Sequence, residues 1–174
     1  MFVGREKELD ILNNQFQSNK FEFTVIYGRR RVGKTAIINE FVKNKKAIYF
    51  TGVESNAKQN LQNLSQSILS FEDGMPIDSE FSSFQSALEF VFKKSLSERI
   101  CLVIDEYPYV AKSSNSLAST LQLMIDRYKD QSKLFLILCG SSMSYMEDHV
   151  LAYKAPLYGR RTAQIKVQPF EFLE

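Results

Sequence analysis

Gly28-Arg29-Arg30-Arg31-Val32-Gly33-Lys34-Thr35 fits the pattern G-x-x-x-x-G-K-[ST] at every fixed position. The residue types answer to one chemistry. Glycines let the backbone wrap a phosphate closely, and successive N–H groups at a helix start form a nest for an anion. Lys34 would reach the β- and γ-phosphates of a nucleotide, and the Thr35 hydroxyl would sit on Mg²⁺. Arg31, Val32 and Ala36 supply the rest of the cradle along with Gly28 and Gly33. Two glycines, a lysine and a Ser/Thr at this spacing arise by chance in roughly one chain in a hundred. The flanks sharpen the reading. Phe21–Tyr27 reads as a strand that ends abruptly at Gly28, and Thr35–Val42 returns to helical spacing, with Ile38, Phe41 and Val42 on one side. A Gly-flanked basic turn would need neither flank.

Working outward, residues 5–17 carry Leu9, Leu12 and Phe16 at helical spacing and predict an amphipathic helix. Ala47–Thr51 is a second short strand, rich in aromatic and β-branched residues, and a helix over about 56–70 follows with Leu61, Leu64, Ile68 and Leu69 as its stripe. Glu72–Glu80, with Gly74 and Pro76, reads as a loop. Phe84, Leu88, Val91 and Phe92 mark another helix, and Ile100–Ile104 a strand buried on both faces. Leu117, Leu121, Met124, Ile125 and Tyr128 give the best helical periodicity in the chain; Leu134–Cys139 is a fourth strand and Thr162–Val167 a fifth. Strands alternating with helices predict an α/β fold with a mostly parallel sheet and right-handed crossovers.

Two further strand ends carry chemistry. Ile100–Ile104 runs into Asp105-Glu106, and carboxylates at the carboxyl end of a strand face the same crevice as a phosphate loop. Asp105 suits the hold on Mg²⁺, and Glu106 suits orienting or deprotonating an attacking water. Leu134–Cys139 runs into Gly140-Ser141-Ser142. One serine, Ser141 ahead of Ser142, is placed to touch the γ-phosphate or its water; the alternative is that Ser142 caps the next helix. His149, the only histidine, is expected to be a surface helix residue without a role.

Bulk properties exclude several classes. At 174 residues the chain is the size of one domain, and its 44% hydrophobic and 24% charged content is that of an ordinary globular protein. A formal charge of +2 does not by itself argue for nucleic acid or an acidic membrane. The apolar runs fall far short of the ~20 residues of a membrane span, and Arg5-Glu6-Lys7-Glu8 arrives before a signal-peptide core could form. Cys101 and Cys139 sit inside apolar runs and read as buried free thiols, so the expectation is a cytoplasmic domain with no membrane partner. A GTPase would need Asn-Lys-x-Asp, and Asn44-Lys45-Lys46-Ala47 lacks the Asp.

With these motifs placed, the chain resembles the P-loop ATPases of the AAA+/STAND grade, and more specifically the archaeal-type ATPase family. The resemblance is carried by Phe2-Val3-Gly4-Arg5-Glu6-Lys7-Glu8-Leu9, the Tyr27–Thr35 segment, Ala47-Ile48-Tyr49-Phe50, Ile104-Asp105-Glu106-Tyr107-Pro108-Tyr109, Cys139-Gly140-Ser141-Ser142 and Ala155-Pro156-Leu157-Tyr158-Gly159-Arg160-Arg161-Thr162. It implies a three-layer fold with a five-stranded sheet of order 5-1-4-3-2 and helices on both faces, which would set Ser141 between the phosphate loop and Asp105-Glu106. It also implies that Val3, Gly4 and Arg5 lie against the adenine and that Arg160 or Arg161 is an arginine finger, Arg160 preferred because it follows Gly159 directly. Family members continue into a helical lid or winged-helix region, at times followed by a nuclease-like domain, where Pro169-Phe170-Glu171 would lead; residues 1–174 are therefore expected to be the ATPase domain without that region.

Three functions are consistent with this reading. One is Mg-dependent ATP hydrolysis that drives a conformational cycle in a protein partner or a further C-terminal domain. The second is an ATP-dependent switch with little turnover. The third is a regulator of a nucleic-acid-processing domain. Glu106 favours the first, because a pure binder has no need of a carboxylate aimed at water. A finger acting on a neighbour's nucleotide would make the assembly a homo-oligomer.

Overall fold

The computed structural model describes residues 4–72 and 80–170. Residues 73–79 of the expected loop, Val3 and Glu171 lie outside that range. Five strands form one sheet: β1 (Glu22–Tyr27), β2 (Ala47–Thr51), β3 (Ile100–Asp105), β4 (Leu134–Gly140) and β5 (Ala163–Lys166). Their order is β2-β3-β4-β1-β5 and every neighbouring pair is parallel, so the expected order 5-1-4-3-2 is met from the opposite edge. β4 lies between β1 and β3, with Cys139 opposite Ile26 and Leu138 opposite Ile104. All five carboxyl ends therefore share one rim.

Alternation along the strands divides the core into two apolar clusters. Phe23, Val25, Tyr27, Leu102, Ile104, Leu136 and Leu138 point to one face. There they meet α3 (Ala57–Phe71), α4 (Phe84–Lys94), α5 (Tyr107–Ser113) and α6 (Leu117–Tyr128). Ile26, Cys101, Val103, Phe135, Ile137 and Cys139 point to the other face, under Leu12 of α1 (Glu6–Gln17) and Ile37, Ile38 and Phe41 of α2 (Lys34–Val42). Because β3 and β4 are buried along their whole length, their sequences are near-continuous apolar runs.

Local signals account for the helix starts. Asn56 caps α3 by accepting from the Gln59 amide, and Ser83 and Ser86 form a reciprocal capping box at α4. Two helices are short; the one after β4 was expected from the sequence and α5 was not. α5 opens with a proline in its first turn. α7 (Met143–Met146) runs into wider π-helical turns over Glu147–Leu151. Seven and four residues are too few to display an apolar period. Ser142 precedes α7 but makes no side-chain capping bond. No helix among the described residues is long and apolar enough to cross a membrane. Cys101 and Cys139 are buried free thiols.

Candidate nucleotide-binding site

The loop between β1 and α2 is shaped by its glycines. A Cβ on Gly28 would stand 2.5 Å from the Val167 carbonyl oxygen, so only glycine lets the loop leave β1 beside the chain that follows β5. Gly33 holds φ +98°, the left-handed region, immediately before α2. It offers no side chain to cap that helix, in contrast to Asn56 and Ser83. The first-turn amides of α2 are therefore left to an anion in the loop. Arg31 also sits at φ +67°, a costly conformation for a residue with a Cβ.

Around this loop lies a cleft of about 360 Å³ lined by Arg30, Arg31, Gly33, Lys34, Thr35, Ala36, Glu106 and Ser141. Gly28 and Val32 shape the loop from behind: the Val32 side chain is buried in the α2-side cluster. Lys34 Nζ donates to the carbonyls of Gly28 at 2.8 Å and Arg29 at 2.6 Å. Burial lowers the pKa of its ammonium, against the pull of Glu106 and Asp105. Larger hollows, of about 700 Å³ near Phe81 and about 640 Å³ near Phe21, lie elsewhere and contain no part of the loop.

Asp105, at the end of β3, is 3% exposed and fully engaged. Its Oδ2 accepts from the Thr35 hydroxyl at 2.9 Å and the Tyr49 hydroxyl at 2.6 Å, and its Oδ1 accepts from the Glu106 amide at 2.9 Å. Burial, then the bond to Asp105, push the Tyr49 phenol far above its usual range, so it stays a donor. Glu106 takes the left-handed conformation at φ +53°, which turns the chain sharply into α5. Its Oε1 accepts from Ser141 Oγ at 3.1 Å, so β4's position between β1 and β3 brings Ser141 to the acidic pair. Arg30, from the loop tip, donates to the Tyr109 hydroxyl at 2.6 Å across the cleft mouth.

Other expected site residues fall differently. Arg5 is buried and ties three segments together, donating to Val32 O at 2.7 Å and Gln168 O at 2.8 Å, pairing with Glu8, and stacking on the Phe170 ring at 4.0 Å. This is a brace beneath the loop. Gly4 is exposed beside Phe170, whose ring a Cβ would meet at 2.8 Å. Arg160 lies at the opposite end of the sheet, next to Thr162, whose amide bonds Phe23 O near the start of β1. Its guanidinium grips Asp126 in a two-pronged pair at 2.9 and 2.7 Å and also donates to Pro156 O and Tyr158 O. To reach another molecule this guanidinium would have to give up these partners. Arg161 makes no hydrogen bond or ion pair among the described residues.

Residues 2–174 match a family described as an ATPase domain predominantly from Archaea. The chain belongs to this ATPase-domain family. An uncharacterised protein of Methanocaldococcus jannaschii is 39% identical over 172 residues, 99% of this chain and 37% of that protein. An uncharacterised ATP-binding protein of the same organism is 50% identical over 46 residues, 26% of this chain and 78% of that protein. Among solved structures the ATPase domain is similar to a Walker-type ATPase of Pyrococcus abyssi (TM-score 0.72, 21% identity), covering 98% of this chain and 55% of that one. It is also similar to Cdc6p of Pyrobaculum aerophilum (TM-score 0.69, 16% identity), covering 98% and 46%. At those identities the likeness is one of fold. The domain spans about a third to a half of the longer proteins it matches end to end.

Sequence reasoning missed Tyr49 and the Arg30–Tyr109 contact. For Tyr49 a signal existed: Ile48 and Phe50 alternate with it, so it points to the α2 face, and a sheet order with β2 beside β3 sets it next to Asp105.

Proposed function

We propose that this domain binds ATP with Mg²⁺ in the cleft and hydrolyses it, passing the change of nucleotide state to a partner or to the remainder of a longer protein. The observation that carries this is the Thr35–Asp105 hydrogen bond. By giving its proton to the carboxylate, the Thr35 hydroxyl leaves its lone pairs directed away from Asp105, as an oxygen ligand must. Hard oxygen donors suit Mg²⁺, which is held by one or two protein oxygens plus phosphates and waters. Among the described residues there is no cluster of three His, Cys, Asp or Glu that could hold a metal without phosphates. The donor set thus fits a nucleotide-borne Mg²⁺, with Thr35 in contact and Asp105 behind it. When bound, the ion would neutralise charge on the β- and γ-phosphates.

In this reading the α2 amides and Lys34 hold the phosphates. Glu106, oriented by Ser141, accepts a proton from the water whose oxygen attacks the γ-phosphorus. The bond from that phosphorus to the β–γ bridging oxygen breaks, giving ADP and phosphate. Gly4, Val3 and Phe170 are the residues proposed beside the adenine. Arg161, without a hydrogen bond or ion pair among the described residues, is the finger offered to a neighbouring copy in place of Arg160.

The test is turnover and binding in matched variants. Glu106→Gln should retain ATP affinity and lose at least about 10²-fold in hydrolysis, the low end for a general base. Lys34→Ala should lose binding itself. Mixing Lys34→Ala with Arg161→Ala should restore turnover that neither has alone. If the wild-type chain binds ATP without turnover at any protein concentration, it is a nucleotide switch instead; if Lys34→Ala binds as wild type does, the site assignment fails.

A further inference from the structure

We propose that Tyr49 is a positioning residue for the metal-holding carboxylate: its hydroxyl fixes the orientation of Asp105 and thereby sets how tightly the nucleotide-bound cation is held. The inference rests on the functional reading above and names a device within that same site.

The geometry begins in the sheet register. Tyr49 pairs with Val103 and Thr51 pairs with Asp105 across the parallel β2–β3 ladder. Register partners point to the same face and residues two apart share it, so Tyr49 lies diagonal to Asp105, on the face that carries α2. A phenol is long enough to span that diagonal, and the resulting bond, at 2.6 Å, is the shortest that the Asp105 carboxylate accepts. Tyr49 sits among the residues packed against the α2-side cluster, so its ring is wedged in place by apolar neighbours.

The chemistry explains why this matters. A carboxylate can rotate about its Cβ–Cγ bond, and the Thr35 hydroxyl can turn to several acceptors. With Oδ1 pinned by the Glu106 amide and Oδ2 pinned by Tyr49, Asp105 presents Thr35 with an acceptor in one place only. Thr35 must then donate toward the sheet and turn its lone pairs the other way. Without the phenol, Oδ2 loses one of its two donors and its fixed orientation. The hold on a cation then weakens through a residue that never touches the cation.

The test is metal binding read without turnover. Mn²⁺ would be titrated into the chain with a non-hydrolysable ATP analogue and followed by electron paramagnetic resonance, alongside analogue binding in EDTA. Tyr49→Phe removes one oxygen and should weaken Mn²⁺ binding about tenfold, the low end for losing a partner of a metal-site carboxylate. Its EDTA binding of the analogue should match wild type, which also establishes that the variant is folded. In an Asp105→Asn background the same substitution should cost less than about twofold, because Tyr49 acts through that carboxylate. Equal Mn²⁺ affinities for wild type and Tyr49→Phe would overturn the proposal. So would a tenfold loss that persists undiminished in the Asp105→Asn background, which would make the phenol an independent structural support. Should Tyr49→Phe fail to bind in EDTA, replacing Tyr49 with 4-aminophenylalanine decides: an N–H donor at the same reach must restore part of the Mn²⁺ affinity, and no restoration counts against the proposal. Wild-type Mn²⁺ binding that ignores Asp105→Asn and Thr35→Val would sink the underlying site reading instead.

Discussion

Lys34 is the residue proposed to take the nucleotide's phosphates. Its ammonium is buried and satisfied by two loop carbonyls, and burial lowers its pKa below the ordinary lysine value of 10.5. The sign of the consequence can be worked out. A lysine with a lowered pKa gives up its proton earlier as pH rises, whereas phosphate binding requires the charged form and raises the pKa again. Nucleotide affinity is therefore full below the lowered pKa and falls as pH rises through it. In a fluorescent-nucleotide titration the loss should begin on the alkaline side but before the normal lysine range. Lys34→Arg, always charged, should bind more weakly at neutral pH yet show no such decline; a decline of equal size in that variant would assign the titration to another group.

At the scale of elements, the rim of the sheet is organised by side chains that tie loops to helices. Asn60 of α3 is wholly buried, accepts from the Val53 amide, and donates to Val53 O, Asn56 O and Ser113 Oγ. It thus clamps the β2–α3 connection to the far end of α5, the helix that Glu106 begins. Asn60→Ala removes the bonds to the Val53 amide and carbonyl from a wholly buried side chain and should cost about 1–2 kcal/mol. The expected readout is a lowered urea midpoint at unchanged m-value, with analogue affinity in EDTA preserved. A midpoint equal to wild type would mean water replaces the amide at no cost. The strained turn at Glu106 belongs to the same scale. Left-handed backbone at a non-glycine residue persists where surrounding packing holds it, here the buried Asp105 before it and the buried Tyr107-Pro108 after it.

For the molecule as a whole, the proposed nucleotide site gathers segments from three strands and both termini of the described chain. The phosphate loop hangs from β1, Glu106 from β3 and Ser141 from β4, while Arg5 joins the loop to the start of α1 and the chain after β5. Ligand that braces these segments stabilises the fold by mass action. Mg-ATP at about 100 times its dissociation constant should add about 2.7 kcal/mol. For a chain of this size that is a rise in Tm of about 5–10 °C in differential scanning calorimetry. Lys34→Ala should abolish the rise while leaving the ligand-free Tm within about 2 °C; an undiminished rise would place binding elsewhere.

By itself the sequence determined the phosphate loop, the acidic pair and the alternation of strands with helices. Those features are local: a G-x-x-x-x-G-K-T segment between a strand and a helix is legible from adjacent residues alone, and buried parallel strands write themselves as apolar runs. The sheet order came from family resemblance and was met, so Ser141 was anticipated beside Glu106. What only the tertiary structure decided are contacts between residues far apart in the chain. Tyr49 meets Asp105 across 56 residues, Arg5 meets Gln168 across 163, and Arg160 closes on Asp126 across 34. No period or motif encodes such pairings, because they depend on strand register and on where helices come to rest. That is why the sequence, which preferred Arg160 for following Gly159, could not foresee that the fold binds this guanidinium to Asp126 and leaves Arg161 without such a partner among the described residues.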